Sequence, residues 1–201
     1  MIVAIVLAAG LSRRMGQAKL LLRLEDRPVV RLTVEAVLTG GVDQVVVVTG
    51  SEHQPLAEAL AGLPVALAIN PHPEAGQAGS IRVGIGALPP GTQAALIALG
   101  DQPFLAGEII PALLAARDRT GKAIVAPRYR DGRGNPVLFS RELFGELLDI
   151  SGDQGARSVI ERDPGRVALV DFDLPMPQDL DTPEDYDRLR SAENPCKLEG
   201  R

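Results

Sequence analysis

The stretch "MIVAIVLAAGLSRRMGQAK", residues 1–19, joins an aliphatic run to a basic loop. The run at 1–7 predicts a buried strand, and a strand this uniformly apolar is typical of a parallel sheet with helices on both faces. The segment that follows, 7–19, contains two glycines, a serine, two arginines and a lysine, so it is too charged to enter a core. Small residues and positive charges directly after a buried strand indicate a loop that binds an anion.

The rest of the chain repeats this alternation of apolar runs and amphipathic stretches. Further strands are predicted at 44–50, 65–70, 94–99, 122–127 and 166–172. Helices are predicted at 28–41, 54–63, 80–90, 107–121, 141–150, 152–163 and 181–193. Between 128 and 140 the pattern loosens around a short apolar run, and no element is predicted there. Strand, helix and strand in repeated order predict an α/β fold with a mostly parallel sheet.

The length of 201 residues suits one substantial domain. We expect this domain to occupy residues 1–192. Residues 193–201 match no periodic pattern and are expected to form a tail, with a cloning scar as one source of part of it.

Composition excludes several function classes. A formal net charge of −5 argues against nucleic acid or an anionic membrane as a partner, because both reward a basic surface. The single cysteine, Cys196, rules out a disulfide within the chain, and His53 and His72 are too few for a histidine metal cage. The apolar run at 1–7 is too short to span a bilayer. We therefore expect a cytoplasmic protein.

The loop after the first strand predicts a phosphate site of an uncommon kind. Its small residues leave backbone N–H groups open to a phosphate chain, and its cations add full charges. The backbone groups are those of Ala8, Ala9, Gly10 and Ser12, and the charges are those of Arg14 and Lys19. It is not a Walker A loop, since Gly16 is followed by "QAK". The alternative is a flexible connection whose basic residues are merely solvated.

Glycines elsewhere do not complete a dinucleotide fingerprint. Gly84 and Gly86 lie inside a helical pattern without a third glycine. They are interpreted as positions of close helix packing.

Acidic residues at a second strand end predict a magnesium site. Asp101, in "GDQP", follows the fourth predicted strand, where a carboxylate can hold Mg²⁺ against phosphate oxygens. The alternative is an aspartate that only forms a turn. In "QDLDTPED", Thr182 and the acids after it form a helix start, which leaves Asp179 and Asp181 as candidates for a second carboxylate. Between these two, Asp179 is slightly favoured.

The chain lacks a serine–histidine–acid arrangement, so a reaction that needs a strong general base is not favoured. Nucleotidyl transfer onto a phosphate needs none, because a phosphate monoester is already an ionised nucleophile. It requires alignment and charge neutralisation by a metal ion, lysine and arginine.

These motifs resemble those of the MobA-like nucleotidyltransferase family. "LAAGLSRRMGQAK" is similar to its signature L-A-A-G-x-S-x-R-M-G-x-x-K at every fixed position, and "GDQP", "GNPVLF", "GDQGAR" and "DLDTPEDY" follow in the family's order. One departure is Leu180, where the family often has isoleucine. The resemblance implies a three-layer α/β/α sandwich of the nucleotide-diphospho-sugar transferase type, with a Rossmann-like sheet.

The resemblance also implies roles for individual residues. Arg14, Lys19 and Asp101 are implied to be catalytic, with Mg²⁺ held by Asp101 and by Asp179 or Asp181. The implied nucleotide-binding residues are Leu7, Ala8, Ala9, Gly10, Ser12, Arg14, Lys19, Gly79, Ser80, Gly100 and Asp101. The implied residues for the phosphorylated acceptor are Asn135, Pro136, Asp153 and Arg157.

Within the family, the motifs are most similar to those of enzymes that transfer CMP from CTP to molybdopterin. Guanylyltransferase members carry glycine where this chain has Ala9, and the added methyl narrows the base pocket toward a pyrimidine. Molybdenum hydroxylases are the implied recipients of the product, with transient contact to the apoenzyme. The alternatives are a guanylyltransferase, a nucleotidyltransferase for another phosphorylated acceptor, or a non-catalytic molybdopterin carrier.

Overall fold

The structure is a computed structural model that describes residues 1–11, 15–24, 26–152 and 155–192. The strands are, in chain order, β1 (Ile2–Ala8), β2 (Arg23–Leu24), β3 (Arg27–Pro28), β4 (Gln44–Thr49), β5 (Val65–Ile69), β6 (Ala94–Leu99), β7 (Ile124–Tyr129), β8 (Gly132–Arg133), β9 (Val137–Ser140) and β10 (Val167–Asp171). The α-helices are α1 (Val29–Thr39), α2 (His53–Ala59), α3 (Gln77–Gly86), α4 (Ile109–Thr120), α5 (Phe144–Leu148), α6 (Arg157–Arg162) and α7 (Pro183–Ala192).

One main sheet organises the fold, with the order β10–β7–β9–β6–β1–β4–β5. Strand β1 lies in its middle and pairs in parallel with β4 on one side and β6 on the other. Pairs β4–β5 and β7–β10 are also parallel. The predicted α/β fold with a mostly parallel sheet is therefore confirmed.

Helices cover both faces of this sheet. Along β1, Ala4 and Val6 face the core under α1, α2 and α4, whereas Ile5 and Leu7 face the core under α3, α5 and α6. This alternation shows why the aliphatic run at 1–7 is buried on both sides. The three layers that the resemblance implies are present.

Strand β9 is the longest element that sequence reasoning missed, and the two-residue strands β2, β3 and β8 were missed as well. It lies between β6 and β7 and runs antiparallel to both. Its four residues include Phe139, which is fully buried. A short apolar run is ambiguous by periodicity alone, and β9 is defined by its neighbours in the sheet.

Helix α3 begins at Gln77, three residues before the predicted start at Ser80. Ala78 is fully buried and Ile81 nearly so, both against the core under α3. Burial of this face supports the helix despite its weak glycine-rich sequence.

None of the helices in the described ranges is long and apolar enough to cross a bilayer.

Candidate active site

A cavity of about 420 Å³ opens beyond the carboxyl ends of β1 and β6. Ligands in open α/β sheets bind at this edge. Its lining residues come from the loop after β1, the turn before α3, the end of β6 and the segment before α7. They are Leu7, Ala9, Gly10, Leu11, Lys19, Leu20, Pro73, Glu74, Gly76, Gln77, Ser80, Leu99, Asp101 and Asp181.

The Lys19 ammonium lies between two carboxylates at one end of this cavity. Its Nζ donates to Asp101 Oδ2 at 2.6 Å and to Asp181 Oδ1 at 2.7 Å. The Lys19 side chain is 12% exposed. The phosphate loop and both acidic motifs therefore meet in one cluster, which we call the lysine–acid cluster: Lys19, Asp101 and Asp181.

Charge pairing dominates the protonation of this cluster. Burial alone lowers the pKa of Lys19, but Asp101 and Asp181 outweigh it, so the pKa is raised above its ordinary value. Lys19 is therefore a full positive charge at neutral pH, suited to hold a polyphosphate.

The glycine of "GDQP" allows β6 to approach β1 at the point where Asp101 leaves the sheet. The Gly100 N–H donates to the Leu7 carbonyl at 2.9 Å, and a Cβ at position 100 would lie 2.9 Å from that oxygen. On the other side, the Thr33 hydroxyl donates to the Gly100 carbonyl at 3.0 Å. These backbone hydrogen bonds of Gly100 fix the position from which the Asp101 side chain extends.

Two contacts hold the segment of Asp181 against "GDQP". The Leu180 N–H donates to the Asp101 carbonyl at 3.1 Å, and Leu180 is fully buried. The replacement of isoleucine by Leu180 therefore keeps an apolar side chain in the core. Beside it, the buried Gln102 side chain donates to Asp179 Oδ1 at 2.7 Å.

A helix cap fixes the other side of Asp181. The Thr182 hydroxyl accepts from the Asp185 N–H, while the Asp185 carboxylate accepts from the N–H groups of Asp181 and Thr182. Burial alone raises the pKa of Asp185, but these hydrogen bonds hold it below its ordinary value. The predicted cap at Thr182 is present and orients Asp181.

Asp179 is not among the cavity lining residues, although the charges of Lys19 and Asp101 are near enough to act on its pKa. Its burial and the nearby charge of Asp101 raise its pKa above the ordinary value. Asp181 shares the Lys19 ammonium with Asp101, whereas the Asp179 carboxylate is held by Gln102.

The donor set fits a hard divalent cation that takes most of its ligands from elsewhere. Two carboxylates converge on one ammonium, and carboxylate oxygen is the ligand that Mg²⁺ and Mn²⁺ prefer. Among the described residues, no group of three or more acidic, histidine or cysteine side chains forms a complete cage. Such a site suits Mg²⁺ bound together with phosphates and water.

The part of the cavity wall that α3 forms includes a buried polar side chain. Ser80 on α3 accepts a hydrogen bond from the Asn70 side chain at 3.1 Å. Asn70 directly follows β5 and was not singled out in the sequence, although it lies at a strand end like Asp101.

A second cavity of about 170 Å³ adjoins the first through shared walls at Gln77 and Leu99. Its apolar floor includes Ile97 and Phe139 from β6 and β9. Its polar rim is formed by Gln77, Arg133, Asn135 and Arg157.

Tyr129 holds the loop that carries Asn135 in place through a hydrogen bond. The Tyr129 hydroxyl donates to the Asn135 carbonyl at 2.7 Å, and burial raises its pKa well above its ordinary range. A Cβ on Gly134 would lie 2.9 Å from the Tyr129 ring. Asn135 is followed by a cis peptide bond to Pro136.

The structure brings together many of the predicted site residues and separates others. Leu7, Ala9, Gly10, Lys19, Ser80, Asp101 and Asp181 line the first cavity, and Asn135 and Arg157 line the second. Ala8, Gly79, Gly100, Pro136 and Asp179 lie nearby without lining either cavity. Ser12, Arg14 and Asp153 lie outside the described residues.

Gln77 and Arg133 are lining residues that sequence reasoning missed. No motif marks them, because both face a cavity only through the pairing of β8 with β7 and the packing of α3.

Comparison with known proteins identifies the family. The model of the MobA-like NTP transferase domain matches residues 4–167. The purine catabolism protein PucB of Bacillus subtilis is 31% identical over 203 residues, covering 95% of this chain and 97% of that protein. The nicotine blue oxidoreductase of Paenarthrobacter nicotinovorans is 30% identical over 198 residues, covering 94% and 96%.

A solved structure agrees with this assignment. Rv0371c of Mycobacterium tuberculosis H37Rv superimposes with a TM-score of 0.87 at 32% identity, covering 94% of this chain and 97% of that one. The same protein has also been solved as a complex with manganese, with a TM-score of 0.83 at 29% identity over 95% and 98% of the two chains. The chain belongs to the MobA-like NTP transferase family and is a nucleotidyltransferase of that family.

Proposed function

We propose that this protein is a Mg²⁺-dependent cytidylyltransferase, with residues 1–192 as its single domain. It transfers CMP from CTP to the terminal phosphate of molybdopterin and releases pyrophosphate. The observation that carries the proposal is the lysine–acid cluster at one end of a nucleotide-sized cavity, with a second cavity beside it.

The reaction replaces one phosphoric anhydride bond with another. An oxygen of the acceptor phosphate forms a bond to the α-phosphorus of CTP, and the bond from that phosphorus to the bridging oxygen of pyrophosphate breaks. The acceptor is already ionised, so no side chain has to remove a proton. Lys19 stabilises the negative charge that develops on the departing pyrophosphate.

Asp101 and Asp181 are the residues that would hold Mg²⁺. The ion supplies charge neutralisation and alignment of the triphosphate when bound. Lys19 is the ammonium that both carboxylates contact, and its place on the cavity wall puts its charge beside the phosphates of a bound nucleotide.

The second cavity is the proposed acceptor site. Arg133 and Arg157 share one carboxylate, Glu161, at 3.8 and 3.9 Å, which leaves a net positive charge for a phosphate. The apolar floor suits the face of a pterin ring. The Bacillus relative is by name a protein of purine catabolism. Purines are substrates of hydroxylases of the xanthine dehydrogenase type, which supports molybdopterin as the acceptor and such an apoenzyme as a transient partner.

Ala9 supports cytosine as the base. Its side chain lies on the cavity wall, where guanylyltransferase members have glycine. The methyl takes space that a purine would use, which favours CTP over GTP.

A second candidate function is redox chemistry, since one relative is by name an oxidoreductase. Two carboxylates that can hold a divalent cation favour nucleotidyl transfer instead, because a redox dinucleotide carries a pyrophosphate but needs no such cation for hydride transfer.

The decisive experiment measures pyrophosphate release with purified molybdopterin and CTP, GTP or ATP in turn. We expect release from CTP that requires both acceptor and Mg²⁺. Preferential turnover of GTP would replace the base assignment. No release with any nucleotide, despite bound molybdopterin, would favour a carrier.

A further inference from the structure

The part of the first cavity's wall that α3 forms is joined to a directed hydrogen-bond chain. It runs from the His72 backbone through Asn70 to Ser80. Asn70 is 3% exposed and Ser80 is 6% exposed, so water does not compete strongly for their polar atoms. Ser80 lines the cavity.

The direction of this chain is fixed by the backbone. The His72 N–H lies 2.9 Å from Asn70 Oδ1 and can only donate, so the amide oxygen must face it. The amide nitrogen therefore faces Ser80 Oγ, at 3.1 Å, and donates to it. Asn70 is itself anchored, since its N–H donates to the Thr49 carbonyl at 2.7 Å.

The Ser80 hydroxyl thus receives a hydrogen bond and retains its own proton to donate. Within the described part of the chain, Asn70 is the hydrogen-bond partner of Ser80 Oγ. A buried hydroxyl with an unused donor on a cavity wall suits an acceptor atom of the ligand.

We propose that Asn70 is a positioning residue for base specificity, because it fixes the Ser80 hydroxyl as a donor to a carbonyl oxygen of the base. This inference rests on the proposed function. In cytosine the acceptor is O2, and adenine has no carbonyl oxygen.

The test reverses the hydrogen bond between residue 70 and Ser80 with a substitution of nearly the same shape. In Asn70→Asp the carboxylate accepts from His72 and must also accept from Ser80, which then turns lone pairs toward the ligand. Binding of Mg²⁺-CTP, Mg²⁺-ATP and Mg²⁺-tripolyphosphate is measured by calorimetry. We expect CTP affinity to fall about tenfold more than tripolyphosphate affinity, the effect of one hydrogen bond, while ATP changes only as tripolyphosphate does.

Tripolyphosphate has no base and therefore controls for the added charge, because the new carboxylate repels the phosphates of all three ligands. Protonation of the new carboxyl restores a donor, so CTP affinity of the variant relative to wild type should recover as the pH is lowered from about 8 to about 5.5. A purely structural defect would not recover in this way.

Two further variants complete the design. In a Ser80→Ala background, Asn70→Asp should not change the ratio of CTP to tripolyphosphate affinity further. Gln44→Glu adds the same charge at the opposite edge of the sheet and should change none of the affinities.

If Asn70→Asp weakens the binding of CTP and ATP equally, the Ser80 hydroxyl contacts the ribose and the inference is overturned. An unchanged ratio of CTP to tripolyphosphate affinity in this variant would also overturn it. If wild-type protein binds tripolyphosphate but neither nucleotide, the proposed function fails as well. Tight CTP binding without transfer to molybdopterin would leave the inference standing and remove the proposed function alone.

Discussion

Lys19 and Asp101 are separated by 82 residues in the chain, yet the ammonium of one lies 2.6 Å from the carboxylate of the other. They come from loops after two strands that are neighbours in the sheet, β1 and β6. Parallel pairing brings both carboxyl ends to one edge, and Asp181 joins them from the segment before α7. The cluster is thus a consequence of strand order.

Lys19→Ala should reduce turnover far more than stability. The variant loses the charge that offsets developing negative charge on pyrophosphate, so we expect turnover to fall at least about a hundredfold. Pyrophosphate release and urea unfolding measure the two effects. Since the cluster borders an open cavity, we expect unfolding to change by no more than about 2 kcal/mol. Activity near the wild-type level would remove Lys19 from the mechanism.

Substitution of the two candidate aspartates should separate the metal ligand from its neighbour. Asp181→Asn removes a carboxylate that faces Asp101 across the ammonium, whereas Asp179→Asn alters a side chain held by Gln102. We expect Asp181→Asn to weaken Mn²⁺ binding in the presence of CTP about tenfold or more, and Asp179→Asn to weaken it much less. Electron paramagnetic resonance of free Mn²⁺ gives both constants. The reverse order would restore Asp179 as the second ligand.

Much of the fold and part of the site could be predicted because the signals are local. The aliphatic runs of β1 and β6 mark a sheet buried on both faces, and the rule that ligands bind at strand ends groups Lys19 with Asp101. The same rule applies to Asn70, which ends the third predicted strand. Its neutral side chain gave no signal of chemistry.

The parts that could not be predicted depend on distant contacts. Strand β9 has four residues, and only its place between β6 and β7 makes it a strand. The choice between Asp179 and Asp181 depends on the docking of Leu180 against Asp101 and on the Thr182 cap. Asp179 and Asp181 flank Leu180 and have the same side chain, so they could not be ranked from sequence alone.

Glu146 should give stability a pH dependence away from the site. It accepts hydrogen bonds from Arg166 and Arg162, which outweigh desolvation and lower its pKa below the ordinary 4.5. A carboxyl whose pKa is lower in the folded state stabilises the fold at pH values above its unfolded-state pKa. This stabilisation is lost as the pH falls through the folded-state pKa.

Glu146→Gln should therefore reduce the free energy of unfolding at pH 7 by about 1 kcal/mol or less, because the cluster is partly exposed. The difference from wild type should shrink as the pH falls below 4.5. Urea unfolding at several pH values measures it. A difference that stays constant down to pH 3 would exclude the charge as its cause.

Gly84 and Gly86 on α3 should respond oppositely to the same added methyl. A Cβ on Gly84 would lie 2.5 Å from Ile5 Cγ2 and 3.2 Å from Val48 Cγ2, and both of these side chains are fully buried in the central strands. Neither neighbour can move without shifting the sheet, so Gly84→Ala should cost about 2–3 kcal/mol of unfolding free energy.

Gly86→Ala is the matched control, because its Cβ meets no atom within 4 Å. Alanine also loses less backbone entropy than glycine in a helix, so this variant should be neutral or more stable by up to about 1 kcal/mol. Thermal and urea unfolding of the two variants give the comparison. The sequence suggested close packing for both of these glycines, and in the structure Gly84 is closely packed whereas Gly86 is not. Equal losses of stability in the two variants would contradict that assignment.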